Sequence, residues 1–209
     1  MEVAVDRGGL KTDHGSGSDR RLGVKLLGPV LIAVALVVVG LVLAAFVYNG
    51  LVQRRNRVDS TWSDVDVLLR RRHDLVPNLV STVLGYAGHE SAAMRGVAEA
   101  RGAALAAHGP ARAGGAESTL ANGVKTLLAV AEAYPDLKAS REFVELQEQL
   151  TATEDGIEHA RQFYNDAVFG YNTALQTLPG TLVAIPLGFR TREFFQASGA
   201  ERATMQVRP

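Results

Sequence analysis

The chain has 209 residues, with 22 Lys or Arg against 22 Asp or Glu, so its formal net charge is zero. A general nucleic-acid binder normally shows a basic excess, so nucleic acid is not an expected partner. Cysteine is absent, which excludes disulfides and lipid attachment at a cysteine.

A polar tail and an apolar run make up the N-terminal quarter of the sequence. Residues 1–25 are rich in Gly, Ser and charge, and we expect a disordered tail there. Residues 26–52 carry no charged side chain. About 20 apolar helical residues cross a hydrocarbon core of roughly 30 Å, so residues 26–48 are predicted to form a transmembrane helix. The run is longer than the roughly 7–15 apolar residues of a cleaved signal, which favours a single-pass anchor.

Basic residues flank this anchor on both sides. Arg54, Arg55 and Arg57 follow it directly, and we expect them to contact lipid headgroups at the membrane interface. Lys and Arg are almost equally frequent before and after the anchor, so the charge rule for orientation gives no decision.

The next part of the chain, residues 49–197, has a helical pattern. Apolar residues recur at steps of three and four from Val58 to Val97, which predicts a long amphipathic helix over 51–107. A helix of that length either projects as a stalk from the anchor or breaks, near Pro77 or near the glycines at 85 and 88.

Two further helices are predicted after a turn. Glycines at 109, 114 and 115 indicate the turn, and helices are then expected over 118–133 and 140–177. Beyond Pro179 the apolar pattern is irregular, which predicts an extended strap packed on the bundle. Residues 198–209 are expected to be a flexible tail. The prediction is therefore an all-α protein: a transmembrane helix, then an up-and-down antiparallel bundle of three to four helices with a C-terminal strap.

Several blocks follow one another along the chain: YNGLVQRRNRVDSTWSDVDVLLRRRHDLVPNLVSTVLGYAGHE, AEAR, YPDLKA, F-x-x-L-Q-x-x-L, TEDGIEHARQFYNDAV, YNTALQTLPG and GFRTREFF. Together these blocks resemble the bacterial LemA family. The resemblance runs in order from residue 48 to residue 195, with one departure at Leu68, where glutamine is expected. It implies a single-pass membrane protein with a helical bundle, favours the cytoplasmic side for that bundle, and brings no established catalytic activity. Some members are associated with membrane metallopeptidases.

The block RRRHDLVPN contains the densest group of polar side chains. Pro77 has no N–H, so the carbonyl of His73 loses its helical hydrogen-bond donor. Arg72, His73, Asp74 and Asn78 surround that carbonyl in sequence. They predict either a partner-docking or proton-sensing site, or a set of side chains that satisfy the local backbone and one another.

Charged residues also interrupt the apolar seams of the predicted helices. Arg72 and Glu90 do so on the first helix, while Glu154 and Arg161 flank the seam of the last. Buried charges are costly unless paired, so we expect an ion pair between helices, either Glu90–Arg161 or Arg72–Glu154. His89 next to Glu90 lacks the second histidine of a zinc helix motif, and no metal or other cofactor is predicted.

Two asparagines, Asn165 and Asn172, each follow a tyrosine at a spacing of seven residues. They therefore lie on one side of the last helix. We expect them either to be hydrogen-bonded between helices or to present a polar strip to a partner.

The sequence favours a non-enzymatic scaffold or adaptor in the cell membrane. Its expected partners are the lipid bilayer and either a membrane protein or further copies of itself, and no small-molecule substrate is predicted. The alternative is an accessory subunit or tethered enzyme that uses His73, Asp74, His89 and Glu90, linked to a membrane metallopeptidase. A third hypothesis is self-assembly that senses membrane shape.

Overall fold

The computed structural model describes residues 18–87 and 91–196, with side chains described from Gly28 onward except around the gap. Those residues are helical or irregular and contain no strand, so the predicted all-α class is confirmed. The chain divides into two compact units, Met1–Val47 and Tyr48–Pro209. The helices are α1 (Ser18–Tyr86), α2 (Ser91–Ala106), α3 (Pro110–Ala131), α4 (Pro135–Lys138), α5 (Arg141–Gln176) and α6 (Gly180–Ala184).

The first unit contains the N-terminal part of α1. An 18-residue window there has a mean hydropathy of 3.3, and none of it is buried. By length and composition this helix can cross a membrane. The helix begins at Ser18, so residues 18–25 of the predicted disordered tail are helical, because an existing helix extends at little cost per residue. Residues 1–17 and 197–209, which include the rest of both predicted tails, lie outside the described part.

The second unit has a core formed by four helices at one end. Residues of α1, α2, α3 and α5 pack there with Leu137 of α4. α2 and α3 are joined by the short connection 107–109, as is usual for antiparallel neighbours in an up-and-down bundle. The fully buried members of this core include Leu79, Val83, Val97, Leu120 and Leu127.

The other end of the second unit has a different composition. There the long buried seams are those of α1 and α5, for example Val58 and Val65 on α1 and Val168 on α5. The chain after α6 lies against these two helices and is extended over 189–196. We call residues 189–196 the strap. Its Phe195 is buried.

The predicted helix over 51–107 is interrupted once in the described part of the chain, near one of the two positions that the sequence indicates for a break. α1 continues through Pro77 and ends at Tyr86, and a separate helix, α2, begins at Ser91. The helix ends one residue after Gly85, in agreement with the roughly 1 kcal/mol by which a glycine weakens a helix.

The turn predicted at Gly114 and Gly115 is wrong. α3 begins at Pro110, directly after Gly109, whose φ of 86° ends the preceding connection. Proline suits the first turn of a helix, where its missing N–H costs nothing. Gly114 lies inside α3 at the point where the strap crosses this helix. A side chain would not fit there, because a Cβ would be 1.9 Å from the carbonyl oxygen of Gln196.

The close approach at Gly114 leads to a testable prediction. Gly114→Ala should lower the free energy of unfolding by about 1–3 kcal/mol, since the strap must move to admit the methyl group. The change should also speed tryptic cleavage in the strap, at Arg190 and Arg192. Both readouts use the full-length chain in detergent, with unfolding followed by circular dichroism.

Gly115→Ala is the matched control. No atom lies within 4 Å of a Cβ at that position, so the substitution should stabilise the helix by about 0.5–1 kcal/mol. Equal effects of the two substitutions would contradict the packing of the strap on α3.

Candidate functional site

The carbonyl group freed by Pro77 has a partner on another helix. Arg101 of α2 donates from Nε to the carbonyl oxygen of His73 at 2.8 Å. The sequence predicted that this carbonyl would lack its helical donor, and here a side chain supplies the missing hydrogen bond. α1 therefore passes through Pro77 without a break, and α2 is attached at that point.

Next to this carbonyl, three ionisable side chains are buried together: Arg72, His73 and Glu117. Glu117 of α3 accepts a short hydrogen bond from Nη2 of Arg72. Its other carboxylate oxygen is 2.7 Å from Nε2 of His73. An ionised carboxylate can only accept hydrogen bonds, so Nε2 of His73 carries the proton. Nδ1 of His73 then has no hydrogen-bond partner among the described residues.

Arg72 also extends the group to α5. Its Nη1 donates to Oε2 of Glu154 at 2.7 Å, and Glu154 is partly exposed. The predicted Arg72–Glu154 pair is thus present, but with Glu117 as a second, fully buried carboxylate. We call Arg72, His73, Glu117 and Glu154 the charged layer.

Sequence reasoning missed Glu117. The pair Gly114-Gly115 indicated a turn just before it, so the residue was placed outside the predicted helix. One signal was available: Glu117 lies three residues before Leu120, which the seam of that helix placed inward.

The electrostatics of the charged layer favour the ionised form of Glu117. Burial by itself would raise the pKa of this carboxyl group. The hydrogen bond from His73 and the positive charge of Arg72 more than offset burial, so the pKa of Glu117 lies below its ordinary value of 4.5. The carboxylate is therefore charged at neutral pH and neutralises Arg72 within the protein.

The charged layer lies between the two ends of the second unit. The four-helix core reaches Leu75 on α1 and Leu150 on α5. Beyond the layer the seams of α1 and α5 continue with Leu69 and Ile157. α3 also passes the layer, since its first residue, Pro110, lines a pocket with Val58 and Trp62.

Two other predicted members of the polar cluster, Asp74 and Asn78, do not join the layer. Both point outward and are exposed. Arg161 lines an open groove of about 290 Å³ beside Arg72 and Glu117. His89 and Glu90 lie outside the described residues, so the Glu90–Arg161 pair stays a prediction. Within the described ranges, no group of three or more metal-ligating side chains occurs.

The two predicted asparagines bind the strap. Asn172 donates from Nδ2 to the carbonyl of Arg192 at 2.9 Å and accepts from its N–H at 2.9 Å. Asn165 makes the same pair of bonds with Phe195, at 3.1 and 3.0 Å. Each amide thus hydrogen-bonds with one strap residue as a neighbouring β-strand would. The expectation of bonds between helices was wrong, because the strap lies over this side of α5.

Aromatic and charged contacts complete the attachment of the strap. The hydroxyl of Tyr164 donates to the carbonyl of Glu193 at 2.7 Å. Trp62 lies against the rings of both Tyr164 and Phe195. Arg192 forms an ion pair with Asp59 of α1 at 2.9 Å. Burial raises the pKa of Tyr164 to about 12, so its hydroxyl stays a donor at neutral pH.

The three arginines predicted at the membrane interface are exposed on α1. Nη1 of Arg54 lies 3.5 Å from the carbonyl oxygen of Gly170 on α5. Arg55 forms a loose pair with Asp59 at 4.0 Å. Their contact with lipid headgroups stays a prediction.

Comparison with known proteins agrees with this architecture. The sequence profile of the LemA family matches residues 61–208, more than two thirds of the chain. The chain belongs to the LemA family. The matched region begins at Thr61, just before Trp62, and so contains the whole charged layer and both asparagines that hold the strap.

Two relatives extend the similarity toward the N-terminus. The magnetosome protein MamQ 2 of Paramagnetospirillum magneticum is 26% identical over 211 residues, covering 87% of this chain and 76% of that protein. The magnetosome protein MamQ of Magnetospirillum gryphiswaldense is 26% identical over 215 residues, covering 88% of this chain and 77% of that protein. With the apolar helix, these matches describe a membrane protein of the LemA type.

Glu117→Gln tests the charged layer. The substitution keeps the shape of the side chain but leaves the charge of Arg72 without its buried partner, which should cost about 3–5 kcal/mol of unfolding free energy. Glu154→Gln removes the other, partly exposed carboxylate and should lower the unfolding free energy by at most about 1 kcal/mol. Equal losses in the two variants, measured by chemical unfolding of the full-length chain, would contradict the dominant role of Glu117.

The difference in unfolding free energy between the wild-type chain and Glu117→Gln is predicted to depend on pH. Because the pKa of Glu117 is lower in the folded state, its contribution is complete above pH 4.5, the ordinary pKa, and is lost as the pH falls through the folded-state pKa. The stability difference between the wild-type chain and Glu117→Gln should therefore shrink below pH 4.5. A difference that stays constant under acid would show that Glu117 is not the ionised group.

Proposed function

We propose that this protein is a non-enzymatic scaffold or adaptor held at the cell membrane by its N-terminal helix. One observation carries the proposal: the buried ionisable side chains are committed to contacts between helices. Arg72 and His73 both bind the carboxylate of Glu117, and Arg101 is bound to a main-chain carbonyl. An acid–base catalyst needs such groups within reach of a substrate, and here they hold the bundle together.

The relatives support the same class of function. The name magnetosome protein refers to a structure of the cell and not to a reaction. An association of this chain with a membrane metallopeptidase, which the family resemblance suggested, would be one form of the adaptor role.

A groove between α1 and α5 is the surface that we propose for a protein partner. It has a volume of about 970 Å³ and is lined by residues of both helices, including Arg57, Asp64, Phe163 and Asp166. Phe163 is well exposed for a large aromatic side chain. An exposed aromatic ring surrounded by charges of both signs is typical of a protein-binding surface.

Capture of the full-length chain from mildly solubilised membranes tests this proposal. Quantitative mass spectrometry should find either a second protein in near-stoichiometric amount, which is the adaptor form, or a fixed multiple of this chain, which is the scaffold form. Phe163→Ser should reduce the recovery of that partner, because the ring is the apolar centre of the groove.

Val144→Ser is the control, since Val144 is an exposed apolar residue on the same helix outside the groove. Both variants should keep the helical circular dichroism of the wild-type chain. A wild-type chain recovered as a monomer without any protein partner would contradict the scaffold and adaptor forms alike.

A further inference from the structure

At one end of the second unit, a long stretch of the chain has no charged residue. The sequence contains no charged side chain between Asp166 and Arg190. On α1 the first charged residue after the apolar run is Arg54. Nη1 of Arg54 lies 3.5 Å from the carbonyl oxygen of Gly170, so the charge-free parts of α1 and α5 begin at the same level of the bundle.

The short helix α6 in this region has its apolar side chains on the outside. Leu178 lies just before the N-cap Pro179, while Leu182 lies within α6 and Ile185 is its C-cap. Leu182 and Ile185 are three residues apart and therefore share one face of the helix. The exposed fractions of Leu178, Leu182 and Ile185 are 76%, 71% and 76%.

The opposite face of α6 carries small residues and is buried. Gly180 and Ala184 lie on it, and a Cβ at Gly180 would be 1.9 Å from the carbonyl oxygen of Ala174. An amphipathic helix on a water-facing surface normally has the reverse arrangement, with large apolar residues inside. A contiguous apolar surface of this kind needs a non-aqueous neighbour.

The position of this surface indicates the neighbour. The ring of Phe189, at the start of the strap, meets the ring of Tyr48 edge to face at 5.7 Å. Tyr48 is bonded directly to Val47, the last residue of the apolar unit. The chain therefore enters its membrane-spanning segment at the end of the bundle that carries α6. Tyrosine and arginine next to an apolar segment are the residues that favour the lipid headgroup region.

We propose that the outer face of α6, formed by Leu182 and Ile185, inserts into the lipid interface of the membrane that holds the anchor, together with the adjacent exposed Leu178. The occupant of this surface is lipid, and the contact is a second attachment of the domain besides the helix. It restricts the tilt of the bundle on the membrane, because two separated points now touch the bilayer. The proposal depends on the membrane anchorage and is independent of the scaffold role.

A label placed on this face tests the proposal. The chain has no cysteine, so Leu182→Cys gives a single site for an environment-sensitive fluorophore. The full-length labelled chain is reconstituted into vesicles of phosphatidylcholine with a minority of phosphatidylglycerol. We expect a blue-shifted emission, protection from iodide in the water, and quenching by lipids that carry a nitroxide. A nitroxide near the headgroup should quench more than one deep in the acyl chains, since interfacial elements lie about 5–10 Å deep.

Two further variants make the test decisive. Ile185→Cys samples the same face and should behave like Leu182→Cys. Leu84→Cys is the matched control: Leu84 is an exposed leucine near the last turn of α1, at the far end of the four-helix core. Its label should be quenched by iodide and not by nitroxide lipids. Circular dichroism of each variant confirms that the fold is kept.

Two results would overturn the proposal. Labels on α6 that respond like the label at Leu84 would show that this face is in water. Labels protected from iodide but insensitive to nitroxide lipids would show that protein covers the face, either a second copy or another partner. Resistance of the chain to alkaline extraction measures the anchorage separately, so failure of the α6 contact is distinguishable from failure of the anchor.

Discussion

The carboxylate of Glu117 is the constraint on which the arrangement of the helices depends. It neutralises Arg72 and accepts from His73, and both of these residues belong to α1. Moving such charges out of water costs about as much free energy as their mutual attraction contributes. The pair therefore adds little to stability as such, and its effect is on specificity: sliding α3 along α1 by one turn would leave a charge buried without a partner. Apolar seams alone would tolerate that shift far better.

A second theme is that side chains satisfy main-chain groups that a proline or an irregular segment leaves without a helical partner. Arg101 does this for the carbonyl freed by Pro77, and Asn165 and Asn172 do it for the strap. A segment that is neither helix nor sheet can lie on a bundle only when its N–H and C=O groups are bonded. These contacts explain how the strap is ordered with only a few apolar side chains, and why it lies across Gly114, where α3 has no side chain in the way.

The sequence predicted the features that depend on local pattern. Periodicity located the buried faces of α1 and α5, the charge-free run located the anchor, and the missing N–H of Pro77 predicted the free carbonyl of His73. Features that depend on distant segments were missed. Gly114 was assigned to a turn because nothing nearby in the sequence shows that the strap, some 80 residues later, requires a glycine there. The same error leaves Glu117 outside the predicted helix, so the sequence does not predict the central carboxylate of the charged layer. The irregular apolar pattern after Pro179 predicts an extended strap from that point, whereas residues 180–184 form α6.

The central claim, that Arg72 and Glu117 act as one unit, is tested most directly by a double-mutant cycle in the full-length chain. The cycle compares Arg72→Met, Glu117→Leu and the double variant by chemical unfolding. Each single change leaves a charge buried without its main partner, so both should destabilise the fold strongly. The double variant should recover much of that loss, because an apolar pair replaces the ion pair. Losses that simply add in the double variant would contradict the claim, since they would mean that the two side chains contribute independently.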